Sequence, residues 1–64
     1  MELTIVELNT DYVPTMNTDV SLIKKGTRGV IVHVYKEPYY EVEFEIDGKS
    51  VVETIMEDEL DFTL

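Results

Sequence analysis

The chain has 64 residues, fourteen acidic against five basic for a formal net charge of −9, and no cysteine. A domain this short buries only about 60% of the surface its unfolded chain exposes, and without thiols neither a disulfide nor a thiolate metal site reinforces the core. The charge argues against nucleic acid and anionic membranes as partners, because phosphate binding relies on Lys and Arg to displace counterions.

No apolar run approaches the ~18 residues a membrane-spanning helix needs. The opening "MELTIVELNTDYV" is acidic where a secretory signal is basic. A single cytoplasmic domain covering residues 1–64, with no cofactor, is expected. Alternation of apolar and polar residues dominates and no helical period persists, so the chain reads as all-β. The first strand is expected at about residues 3–8. Residues 9–21, rich in Asn, Thr and Asp and containing Pro14, read as a long loop. Gly26 and Gly29 bracket a turn, and a second strand covers residues 30–35, with Val30, Val32 and Val34 on the core face opposite Ile31, His33 and Tyr35.

A turn at residues 36–38 leads to the third strand, residues 40–46, and Asp47-Gly48 is a strong hairpin signal. The fourth strand returns over residues 50–56. A two-residue turn would pair Phe44 with Val51 and Val42 with Glu53, placing a carboxylate on the core face. A three-residue loop with Gly48 as a bulge pairs Val42 with Val52 and Glu45 with Lys49, and is the preferred register because it keeps Glu53 out of the core. Residues 56–60, "MEDEL", suit a single 3₁₀ turn before a short last strand at 61–63. About five short antiparallel strands with no useful helix suggest a sheet bent onto itself as a small SH3-like barrel, which also removes exposed edges.

The stretches "LIKKGTRGVIVHVY", "YEVEF" and "DG" resemble a bacterial family of short uncharacterised proteins with a small SH3-like barrel. The matching positions are Ile5, Val6, Leu8, Lys25, Gly26, Gly29, Val30, Val32, Val34 and Tyr35, then Tyr40 to Phe44, Gly48 and Leu60. Residues 9–21 depart from the pattern. The resemblance implies the barrel fold and no particular activity, and some relatives look like small partners of toxin-like proteins.

Chemistry finds little support. His33 is the single histidine, Ser21 and Ser50 are the only serines, and no nucleophile grouping or phosphate-cradling glycine loop is present. A chain this small has little volume for a pocket of the ~300 Å³ typical of small-molecule sites, so an enzyme is not expected. The acids Glu57, Asp58, Glu59 and Asp61 lack calcium-loop spacing and read as a solvated turn.

Charge is unevenly placed. Residues 20–36 carry +4 through Lys24, Lys25, Arg28 and Lys36, whereas residues 37–64 carry −9. On an extended strand Glu41, Glu43, Glu45 and Asp47 would form a row some ~20 Å long at ~6.6–6.8 Å spacing. A solvated face explains polarity; a row of one sign also suits a basic protein partner, with Tyr39 and Tyr12 as aromatic anchors. The expected role is an acidic protein-binding module of inhibitor, antitoxin or immunity type, a monomer or small homo-oligomer. The alternative is a nucleic-acid or ribosome-associated barrel using Lys24, Lys25, Arg28 and Lys36.

Overall fold

The structure, a computed structural model, describes residues 4–17 and 19–62. Five strands run in chain order: β1 (Thr4–Leu8), β2 (Arg28–Lys36), β3 (Tyr39–Ile46), β4 (Lys49–Met56) and β5 (Leu60–Asp61), with a 3₁₀ turn at Glu57–Glu59 between the last two. They form one antiparallel sheet in the order β4-β3-β2-β1-β5. Residues 3 and 63, expected as strand ends, lie outside the described residues. Ile55 of β4 and Leu60 of β5, from opposite edges of the sheet, lie in the same core as Val6, Leu8, Val42, Phe44 and Val51. Tyr40 of β3 meets Phe62 beyond β5 edge to face, centroids 5.7 Å apart. The sheet is therefore curled into the small SH3-like barrel that strand alternation suggests. Ile23, from the long β1–β2 connection, fills the remaining core position.

β2 departs from its apparent alternation. Gly29, opposite Phe44, is buried and Ile31, opposite Val42, packs against the core, while Val30 pairs with Glu43 on the outer face. A register shift between Ile31 and His33 then resets the strand. Val32 and Val34 are 44% and 51% exposed, so the expected valine core face does not form. His33 is exposed and stands opposite Glu41. Gly29 is required where it is: an added Cβ would lie 2.7 Å from Val42 Cγ1 and 2.8 Å from the Phe44 ring.

The β3–β4 hairpin corrects the expected bulge. Asp47 (φ 51°) and Gly48 (φ 78°) form a two-residue turn with both central residues left-handed, as a type I′ hairpin needs. Ile46 pairs with Lys49, Glu45 with Ser50, Phe44 with Val51 and Val42 with Glu53. Glu53 thus points inward and is fully buried. Its charge is met by the long connection. Glu53 Oε1 accepts from the Thr15 amide (3.0 Å), the Thr15 hydroxyl (3.3 Å) and the Tyr12 hydroxyl (3.4 Å). Oε2 accepts from the amides of Met16 (3.1 Å) and Asn17 (3.0 Å) and from Asn17 Nδ2 (2.6 Å). Tyr12 and Asn17 also donate to the carbonyls of Thr54 and Val52, covering the outer edge of β4. The base of the loop is closed by the mutual amide bonds of Tyr12 and Ile23, each 2.8 Å.

Burial pushes the Glu53 carboxyl up, but the Asn17 side chain and the amides of Thr15, Met16 and Asn17 outweigh it and hold the carboxyl below the ordinary 4.5. Burial, with the charges of Glu53 and Glu59 behind it, pushes the Tyr12 phenol above 10.0.

Gly29→Ala should lose about 1–3 kcal/mol of stability in urea unfolding, through overpacking against Phe44. Glu53→Gln keeps the volume but turns a donor toward backbone amides, and should lose about 2–4 kcal/mol. A carboxyl whose folded value lies below its unfolded one stabilises fully above the unfolded value, and that contribution fades as pH falls through the folded one. The stability gap between native chain and Glu53→Gln should hold from neutral pH to about 4.5 and narrow below it. A gap unchanged through that acid range would contradict the assignment.

Candidate functional site

The hairpin register that buries Glu53 also decides the outer face. Tyr39, Glu41, Glu43 and Glu45 share one parity of β3 and turn away from Val42 and Phe44. Across the sheet, Glu41 lies between His33 and Thr54, Glu43 between Val30 and Val52, and Glu45 beside Ser50. The expected Glu45–Lys49 pairing is replaced, since Lys49 pairs with Ile46 on the opposite parity. Asp47 belongs to the turn, so the strand row ends at Glu45 and spans about 13 Å from Glu41. Glu41 and Glu43 are half-buried; Glu45 and Asp47 are exposed.

Among the described residues no ion pair reaches these four acids. The one formed is between Arg28 Nε and Glu7 Oε2, at 3.6 Å. Ser50 donates its hydroxyl to Glu43 Oε2. The face is not purely polar: Ile5 is 46% exposed and stands beside Val30, which itself stands beside Glu43. At this point Ile5, Arg28, Val30, Glu43, Glu45 and Ser50 line an open groove of about 430 Å³. It is larger than the chain length led us to expect, because it lies across neighbouring strands on the surface and needs no interior volume.

Tyr39, 40% exposed, heads the carboxylate row as an aromatic anchor would. Tyr12 does not serve as one; it is half-buried and committed to Glu53 and Thr54. Lys36 stands apart from Lys24, Lys25 and Arg28. Arg28 and Lys36 are the two ends of β2, roughly 25 Å apart along an extended strand. Lys24 and Lys25 lie at the Gly26 turn, where the Lys25 amide is held by Asp11 Oδ1 at 2.8 Å.

Glu57, in the 3₁₀ turn, accepts from the Tyr40 hydroxyl at 3.0 Å, a bond that raises the Tyr40 phenol above 10.0. Among the described residues no group of three or more His, Asp or Glu is arranged to hold a metal ion, and no helix is long and apolar enough to cross a membrane.

Glu53 on the core face belongs to the register that the sequence raises and sets aside; what sequence reasoning missed is the set of loop amides, from Thr15, Met16 and Asn17, that meet the carboxylate there. The signal for the register was the Asp-Gly turn itself, which favours a two-residue loop. Comparison with protein-family models, with curated proteins and with solved structures finds no match for this chain.

Three carboxylates on successive outward positions repel one another, and salt screens that repulsion. Replacing Glu41 and Glu45 by Gln should therefore raise the Tm in low-salt buffer, with the gain shrinking in molar salt. A gain that persists in high salt would point to packing as its cause.

Proposed function

We propose that the chain is a non-enzymatic binding module whose outer β3 face, formed by Tyr39, Glu41, Glu43 and Glu45, docks a basic protein. The observation that carries this reading is the absence, among the described residues, of any ion pair to these acids on a face that also exposes Ile5 and Tyr39. A solvated strand face needs polarity, but not one sign of charge beside exposed apolar side chains. Such a surface steers a cationic partner inward and raises its association rate, while exposed aromatic and aliphatic groups supply contact area once docked.

A cytoplasmic inhibitor, antitoxin-like or immunity-type partner is the biology this chemistry suits. Nucleic-acid binding through Lys24, Lys25, Arg28 and Lys36 has less support, because Lys36 stands at the far end of β2 from Arg28. The chain is a monomer or small homo-oligomer on this reading, and self-association would not use this face, since two acidic faces brought together would repel.

The test is affinity capture from the native host with the native chain and with the triple variant Glu41→Lys, Glu43→Lys, Glu45→Lys, both checked for the same β circular-dichroism spectrum. The native chain should capture a basic protein that high salt releases and the variant fails to hold. Equal capture by both chains would remove the site from this face.

A further inference from the structure

We infer that the groove beside Glu43 and Glu45 receives one arginine side chain of the basic partner. The stem would lie along Ile5 and Val30, and the guanidinium would sit between the two carboxylates. This rests on the reading of the outer face as the docking surface and adds the chemical identity of its central contact.

The groove's lining is ordered for such a side chain. Ile5 and Val30 are adjacent across β1 and β2, and Glu43 follows Val30 across β2 and β3. One line across the sheet thus passes from apolar to anionic, matching an aliphatic stem that ends in a cation. Glu43 and Glu45 are alternate residues of β3, so their Cα atoms are about 6.6–6.8 Å apart. A planar guanidinium with five N–H donors in a fork can serve both carboxylates at once. A lysine ammonium is a compact point charge and serves such a pair less completely. Ser50 holds one oxygen of Glu43, which limits the freedom the acceptor loses on binding.

The chain's own Arg28 lines the same groove with its charge paired to Glu7, and neither Glu43 nor Glu45 has a cation paired to it among the described residues. A second copy is a poor occupant, since the same carboxylates would face each other, and a phosphate-bearing ligand meets the wrong sign.

The test titrates the isotope-labelled native chain with acetyl-arginine amide, acetyl-lysine amide and the neutral isostere acetyl-citrulline amide, following backbone amide shifts. The arginine probe should move the amides of Ile5, Val30, Glu43 and Glu45 saturably. The lysine probe should bind several-fold more weakly, and the citrulline probe should leave these amides in place. Glu43→Gln with Glu45→Gln, which removes both charge-assisted contacts, should weaken arginine binding by about tenfold or more. Glu45→Gln alone should weaken it less, and Glu57→Gln, outside the groove, should leave it unchanged.

Equal responses to arginine and lysine, shifts spread over residues 57–61, or indifference to the Glu43/Glu45 variants would overturn the inference. Shifts of the groove amides with protein concentration alone would overturn it in favour of a second copy. The two readings fail separately. If the triple lysine variant loses its partner while arginine shows no preference, the docking face stands and the arginine site falls. If arginine binds the groove but partner capture survives the triple variant, the site stands and the docking reading falls.

Discussion

A single buried carboxylate ties the long β1–β2 connection to the sheet. Glu53 projects from β4 into the barrel, and the backbone amides of Thr15, Met16 and Asn17 converge on it from a loop more than thirty-five residues earlier in the chain. An ionised carboxylate away from water is destabilising unless its lone pairs are met. Here the donors come from a segment that has few buried apolar side chains of its own. The charge therefore gives the loop a fixed place, and the loop gives the charge its partners. The arrangement also covers the carbonyls of Val52 and Thr54, so the outer edge of β4 is partly closed by side chains without another strand.

The consequences extend to the opposite face of the sheet. In an antiparallel hairpin a slip of one residue moves side chains from one face to the other. The register that sends Glu53 inward places Val52 and Thr54 outward, beside Glu43 and Glu41. It also leaves Lys49 opposite Ile46, where it does not stand across from Glu45. A core contact thereby determines whether the outer carboxylates meet cations within the chain. Rigid strands on both sides then present Glu41, Glu43 and Glu45 in fixed positions, which suits recognition better than a mobile acidic tail, because less freedom is lost on binding.

Much of this architecture is legible in the sequence. The period-2 pattern of "YYEVEFEI" places Val42 and Phe44 in the core and the glutamates outside, and Asp47-Gly48 marks the hairpin. The all-β class and the 3₁₀ turn before a last short strand also follow from local chemistry. The register does not, because the rule that keeps carboxylates out of cores competes with the turn's own preference. What settles the competition is a set of distant amides that no local pattern announces. The faces of β2 mislead for a related reason. Val30, Val32 and Val34 look like one buried stripe, but Phe44 needs a neighbour without a Cβ, so Gly29 turns inward and a bulge beyond Ile31 breaks the alternation. Tyr12 resembles a surface anchor by composition and is instead half-buried against the carboxylate.

The register of the β3–β4 hairpin is the point on which core and surface both depend, and cross-strand NOEs between Cα hydrogens measure it most directly. Val52 and Thr54 turn their carbonyls toward the loop, so their pairs with Glu43 and Glu41 are the close, non-hydrogen-bonded ones, with Cα atoms about 4.5 Å apart. Strong contacts should link Glu43 with Val52 and Glu41 with Thr54. Contacts placing Val42 across from Val52 and Glu45 across from Lys49 would turn Glu53 out of the core, pair the outer row with a lysine, and contradict both the anchoring of the loop and the unpaired acidic face.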